Sequence, residues 1–577
     1  MWRAVPPASG WRCWPGSQSL ERQQEKHIAR SGRNVLTTTS YDYIIVGAGA
    51  GGCVLANRLT EDADTKVLLI EAGGPDSSMY MHMPLGWRKI WRGPAHNWNY
   101  LSEPEPYCDN RQVGIPRGKT LGGSTSINGM LYVRGHPRDY DQWRQLGNDG
   151  WSFAEVLPYF KKSEGSWRGE GKFHGGSGPL GTTPIDVKGL HFDAFTQSAR
   201  QAGLAVTDDI NGEHPEGFTP VDIMAKRGRR SSAATAYLHP AMGRPNLTVI
   251  THALTRKVLI EKGVAVGVEY SQGGQVKTVR ADREVLLAGG AYNSPQLLLL
   301  SGIGPADGLK AHGIKSVHEL KGVGKNLQEH IYSFVQFATK GPVTFQNQLR
   351  WDKLAFATLQ WMFFNTGMMA NQPLTALGFV KSRPELDRPD LEIFCNPVRL
   401  DADVWFPMIK PALPDAFEAC PSLLYPESRG EVTLRSSDPA APAKILFNFL
   451  KSDVDMRAMR SGVRIIREMY STGPLAEMID REIKPGPEVA SDAEIDAYLR
   501  RSLDLDHHPV GTCSMGINDE AVVDPELKVR GVKGLRVVDA SVMPVTIGGH
   551  TTAPVIMIAE KASDMIRGRA PMEPANL

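Results

Sequence analysis

Tyr43-Ile44-Ile45-Val46-Gly47-Ala48-Gly49-Ala50-Gly51-Gly52-Cys53-Val54-Leu55-Ala56-Asn57-Arg58-Leu59 is the stretch on which the fold turns. Its opening apolar run suits a buried parallel strand, and glycines follow at once. From Cys53 the apolar residues recur at helical spacing. Lys66-Val67-Leu68-Leu69-Ile70-Glu71 then reads as a second buried strand ending in an acid. The whole is a βαβ unit with a GxGxxG turn at Gly47, Gly49 and Gly52. That motif is weak alone; between strand and helix, with an acid after the next strand, it becomes a dinucleotide fingerprint. Gly47 permits the tight turn, Gly49 lets backbone approach a pyrophosphate, and Gly52 lets the helix pack closely on the strand. The helix N-terminus offers the phosphates about half a positive charge. Glu71 can accept hydrogen bonds from both ribose hydroxyls of an adenosine. FAD and NAD both stay open at this point.

Working outward, Gly118-Lys119-Thr120-Leu121-Gly122-Gly123-Ser124-Thr125-Ser126-Ile127-Asn128-Gly129 offers successive N–H groups and small side chains that can wrap a phosphate or flavin chain. Glu284 to Gly290 reads as another buried strand running into glycines. Ser294 to Leu300 reads as a helix opened by Ser294, with Pro295 in its first turn. Leu535 to Asp539 is one more strand, and Ala553 to Ile566 a helix. Parallel-sheet pieces near residues 43, 285 and 537 predict an α/β fold, α+β overall, whose Rossmann-like nucleotide domain is assembled from discontinuous segments. Residues 40–331 are expected to be mainly that domain, with part of a second domain inserted near 140–220. Residues 332–520 are expected to be mainly a substrate domain, 521–568 a return to the first, and 569–577 a tail. Within 332–520, Trp351, Phe356, Trp361, Phe363, Phe364, Met368, Met369, Trp405, Phe406 and Met408 read either as core or as the lining of an apolar substrate channel.

The 577 residues suggest two domains, and 41% hydrophobic with 22% charged content is that of a globular protein. A net charge of +2 gives no footprint for nucleic acid. Six cysteines without a CxxC pair predict no zinc or other metal site and fit a reducing compartment. No apolar run is long enough to span a membrane, although peripheral membrane contact stays open. The first 39 residues are Arg-rich and acid-poor with no apolar core, so a secretory signal is not expected. They read as a disordered or targeting tail, giving a cytoplasmic protein, or a mitochondrial matrix one if the tail is a presequence.

Two histidines lie in runs dense in Gly, Thr and Pro: His508 in His508-Pro509-Val510-Gly511-Thr512 and His550 in Gly548-Gly549-His550-Thr551-Thr552. Imidazole exchanges a proton near neutral pH with little tuning. His507 beside them is expected to be a support or surface residue. Together with the fingerprint, the Gly118–Asn128 segment and the run Gly290-Ala291-Tyr292-Asn293-Ser294-Pro295 through Ser301-Gly302-Ile303-Gly304, these runs resemble the glucose–methanol–choline oxidoreductases. The resemblance covers about Tyr41 to Gly568. It implies FAD and a substrate domain with an antiparallel sheet covered by helices. It implies His508 as catalytic base with His550 as its partner across the substrate oxygen. Asn128 would lie by the isoalloxazine ring, Val258 would contact the adenine through its backbone, and Asp539 would lie near the ribityl-pyrophosphate chain. The position that in some members carries a flavin-linking histidine is Ile127, so FAD is expected to be non-covalent. The implied reaction is oxidation of a small-molecule primary alcohol to an aldehyde, with electrons passing to a quinone or other carrier. An O2-using oxidase is the near alternative, and a non-redox flavin lyase such as a hydroxynitrile lyase the distant one. Oligomeric state does not follow from any of these residues.

Overall fold

A computed structural model of the chain describes residues 40–91 and 93–577. The expectations for residues 1–39 lie outside the described residues. Ser40–Val46 pairs in parallel with Val67–Ile70 on one side and with the second half of the long strand Gln275–Leu287 on the other. Leu247–Ile250 extends the sheet beyond Val67–Ile70, and Leu535–Val537 extends it beyond Gln275–Leu287. Ile44, Ile45, Val67 to Ile70 and Val285 to Leu287 are all buried, as unbroken apolar strands covered on both faces must be. The first half of Gln275–Leu287 continues the same sheet as an antiparallel meander with Val264–Gln272 and Ala253–Glu261. Helices Ala50–Leu59 and Thr552–Ile566, from opposite ends of the chain, pack against each other on the sheet.

The helix expected from Ser294 begins earlier, at Gly290, and runs to Leu300 with Pro295 inside it. A proline there removes the N–H that would reach the carbonyl of Ala291. The hydroxyl of Thr512 donates to that carbonyl instead, at 2.6 Å. The helix therefore continues through the proline because a residue of the His508 run supplies the missing bond.

The second sheet is antiparallel. Its order is Ile479–Lys484, Val335–Thr339, Ala416–Leu423, Leu391–Asn396, Ala376–Val380 and Gly217–Thr219. Ile331–Tyr332 joins the end of Ala416–Leu423 and carries Asp504–Leu505 on its other side. Helix Asp453–Tyr470 lays Met456, Met459, Val463 and Ile466 on this sheet. Gly462 permits the approach, since a Cβ there would meet Pro421 Cβ at 2.6 Å.

The aromatic stretch divides, with the core reading holding for part of it only. Trp361 and Met369 are core, with Met83, but Trp351, Phe356, Phe363, Phe364 and Met408 are exposed. They line no channel.

Candidate active site

A cavity of about 360 Å³ opens at the C-terminal ends of the parallel strands, the usual ligand position in such sheets. Gly47, Gly49, Glu71, Gly118 and Asp539 are on its wall. Gly47 has φ +99°, and a Cβ on it would lie 2.5 Å from the Ala288 carbonyl oxygen. Gly52 sits beneath the wall, where a Cβ would lie 1.9 Å from the Gly47 oxygen. Gly49 differs: the nearest atom to its missing Cβ is 3.8 Å away, so this side of the turn stays open. Gly122, at φ +82°, is off the wall and donates its N–H to Ala48 at 2.8 Å, tying the two glycine loops together.

The acids of this cleft brace it as well as line it. Glu71 accepts the N–H groups of Ala48 (2.8 Å) and Gly73 (2.7 Å), one on each carboxylate oxygen. Asp539 accepts from the N–H of Gly290, the hydroxyl of Ser294 and both the N–H and hydroxyl of Ser541. Burial raises both carboxyls, partly offset by these bonds. Val258 is not on this wall. Its N–H is taken by the Ser301 hydroxyl at 2.8 Å, and it is buried away from the cavity. Ala253, Leu254 and Thr255, at the start of the same strand, line the wall.

The residues fit a dinucleotide. The helix beginning at Ala50 has no side-chain cap, and Ala50 and Gly51 are on the cavity wall. Its first N–H groups are thus available to phosphate oxygens. The buried hydroxyl of Thr255 has no protein partner, as a ligand-binding group would not.

Arg117, Ser124, Thr551 and Thr552 are shared with a second cavity of about 240 Å³. Asn128, His508 and His550 line this one, as do Trp87, Trp91, Leu374, Phe394 and Leu400. Asn128 is held by Arg230, which donates to its Oδ1 at 2.7 Å, and donates in turn to Thr552 at 3.3 Å. The rings of His508 and His550 are 4.7 Å apart. Sequence distance is overcome by strand pairing: Ile331–Tyr332 against Asp504–Leu505 sets His330 beside His508, with Nδ1 to Nδ1 at 3.1 Å. Glu329 accepts the backbone N–H groups of both His330 and His508. Arg117 donates to the His507 carbonyl at 2.7 Å. His507, at φ +65°, lines the same cavity with its ring edge-on to Trp91 and does not lie at the outer surface.

The two central histidines have opposite surroundings. His550 Nε2 is 3.0 Å from Glu392 Oε1. Burial pulls its pKa down, but the charge and hydrogen bond of Glu392 outweigh this and the net shift is upward. Burial, reinforced by the charge of His550, pulls His508 well below the usual histidine range. His330 is pulled to about 3 for the same reasons, and its Nε2 is 3.1 Å from the Thr546 hydroxyl. Burial and then Glu392 push Asp506 up to about 7, and it accepts a hydrogen bond from Ser422. Among the described residues, His330, Asp506 and His508 bring ligand-type atoms within 4.8 Å of one another. These groups already have the protein partners just named.

Glu392, His330 and Glu329 were not legible as site residues. Glu392 carried one signal: an acid inside the apolar strand Leu391–Asn396 must find a partner.

Two family models, each described as GMC oxidoreductase, match residues 41–332 and 426–559. The chain belongs to the GMC oxidoreductases. Members are FAD flavoproteins, and this one is an FAD-dependent oxidoreductase acting on CH–OH donors. A Sinorhizobium fredii protein named oxygen-dependent choline dehydrogenase is 44% identical over 540 residues, covering 93% of this chain and 97% of that protein. The crystal structure of pyridoxine 4-oxidase from Mesorbium loti has a TM-score of 0.83 at 30% identity, covering 92% of this chain and 100% of that one. An Aspergillus oryzae RIB40 formate oxidase variant has a TM-score of 0.85 at 27% identity, covering 92% and 98%.

Proposed function

We propose that this GMC oxidoreductase converts a primary alcohol to an aldehyde, with His508 taking the hydroxyl proton and electrons leaving to a quinone or another carrier. The observation that carries this reading is the pair His508 and His550, 4.7 Å apart on a cavity that adjoins the dinucleotide cleft. FAD, when bound, supplies the hydride acceptor for the carbinol carbon. It is held without a covalent link, since Ile127, buried against Met81 and Ile90, has no nucleophile to offer.

An alcohol with a pKa of about 16 gives up hydride readily only as its O–H proton leaves, so a base must be within reach. His508 is neutral at physiological pH and can serve if its free nitrogen, Nε2, carries the lone pair. Its Nδ1 must then hold the hydrogen and donate it to His330 Nδ1. His330 must in turn carry its hydrogen on Nε2 and donate to Thr546. This orientation is assigned from the chemistry the base requires. His550, kept toward its charged form by Glu392, stabilises the developing alkoxide.

The substrate is an apolar primary alcohol. Tryptophans, leucines and Phe394 dominate the cavity wall, and among the described residues its one carboxyl, Asp506, is pushed up to about 7. Choline is the second reading, favoured by the name of the Sinorhizobium fredii relative and by the Trp87–Trp91 ring pair at 5.7 Å, which could face a quaternary ammonium. An anaerobic panel of benzyl alcohol, hexanol and choline, scored by bleaching of the flavin absorbance, separates the two. Bleaching by none of these overturns alcohol oxidation and leaves a lyase-type reaction. The names of the oxidase relatives favour O2 as an alternative acceptor, and reoxidation in aerated buffer decides between them.

A further inference from the structure

The helix Trp351–Phe364 is amphipathic in reverse. A surface helix ordinarily turns its apolar stripe to the core and a polar face to water. Here the core side is Ala357 and Trp361, one turn apart. The opposite side carries Phe356, Leu359, Met362 and Phe363, exposed by 72%, 53%, 53% and 73%. Its only charged residues, Asp352 and Lys353, stand in the first turn, and Asp352 is paired with Arg350. From Leu354 to Val380 the chain contains no Lys, Arg, Asp or Glu. The patch continues onto the loop after Trp405. Trp351 donates its N–H to the Trp405 carbonyl, and Met408 and Ile409, farther along that loop, are exposed by 103% and 82%.

Cations stand at the other end of the helix. The hairpin Ala225-Lys226-Arg227-Gly228-Arg229-Arg230 has no acid. Lys226, Arg227 and Arg229 are exposed. Trp361 Nε1 donates to the Gly228 carbonyl at 2.7 Å, and the Arg229 guanidinium lies 5.1 Å over the Trp361 ring. The basic hairpin is therefore fastened to the apolar helix as one surface. Its neighbours also carry the alcohol cavity: Gln372, seven residues beyond Asn365, accepts from Trp87 at 2.8 Å, and both line that cavity.

We propose that this face seats the enzyme on an anionic lipid bilayer, with helix Trp351–Phe364 lying in the interface and the hairpin on lipid headgroups. Wide aromatic and aliphatic side chains on one helix face beside a basic cluster are what such a surface binds. Other occupants suit the charge less well. The first 39 residues are themselves Arg-rich. A two-fold contact centred on the helix would bring two basic hairpins into one interface.

The test is sedimentation of full-length holoenzyme with vesicles of phosphatidylcholine, with and without phosphatidylglycerol, at low and high salt. The protein should pellet with the anionic vesicles and be partly released by salt. The double variant F356S/F363S should lose about tenfold or more of this partitioning, and R227Q/R229Q should lose its dependence on phosphatidylglycerol. Both variants should bleach with a water-soluble alcohol at the wild-type rate, which shows that they fold. A holoenzyme that stays in the supernatant with every vesicle overturns the proposal. So does a dimer in light scattering that F356S/F363S converts to monomer, because the face would then be a contact between copies. None of these outcomes bears on which alcohol is oxidised.

Discussion

His508 and His550 share a side chain and differ in what surrounds it, and the difference sets their chemistry. Glu392 raises His550, so its positive charge persists to higher pH than that of a free histidine; activity should fall as pH rises through that value. Removing the negative charge in Glu392→Gln lowers the pKa, so the fall should move to lower pH, with flavin reduction about tenfold slower at neutral pH and partial recovery on acidification. A profile from stopped-flow bleaching reads this directly. With His508 as the proposed base, the acid limb would be its own: held well below the usual range it stays neutral, so the rate should hold well below pH 6.5 (about the value for free histidine). His330→Leu leaves His508 Nδ1 without its acceptor. It should slow reduction about 10- to 100-fold and shift the acid limb, while His330→Asn, which can still accept that hydrogen, recovers part of the loss. The histidines stood out in the sequence because each sits in a distinctive local run. Glu392 did not, because its partner is 158 residues away, on the loop before helix Thr552–Ile566 and outside the sheet that carries Glu392.

Elements were legible where a local pattern dictated them. The fingerprint strand, its helix and the strand ending at Glu71 follow from apolar runs and glycines that no other local structure accommodates as well. The helix Gly290–Leu300 was legible in kind but not in its start, because the bond that lets it pass Pro295 comes from Thr512. Thr512→Val should therefore leave the Ala291 carbonyl buried and unpaired, costing about 1–3 kcal/mol in denaturant unfolding with the fold and FAD retained. An unchanged midpoint would mean the helix does not need that bond. Val258 was expected from a matched position, whereas the residues of Ala253–Glu261 on the cavity wall are Ala253, Leu254 and Thr255 at its start, a placement that composition does not register. The exposed helix Trp351–Phe364 misled in the opposite way, because apolar content alone does not say which medium it meets.

At the scale of the molecule, the cleft is closed by chain segments from both ends, since Ser40–Val46 and Leu535–Val537 flank the same strand, Gln275–Leu287. A ligand bridging them should hold the folded state together. Added FAD should raise the melting temperature of apoprotein, with about 2.7 kcal/mol of stabilisation at 100 times Kd. Acid precipitation should release all flavin to the supernatant if Ile127 leaves it unlinked; flavin that stays with the pellet would contradict that assignment. The proposed base, His508 in the cavity beside this cleft, is the centre of the proposed reaction. Its most direct test is anaerobic stopped-flow bleaching of flavin-loaded His508→Ala by a primary alcohol that bleaches the wild type. The predicted result is a rate lower by about 10²–10⁴, or roughly 3–5 kcal/mol, with flavin content unchanged. Bleaching at the wild-type rate would contradict it.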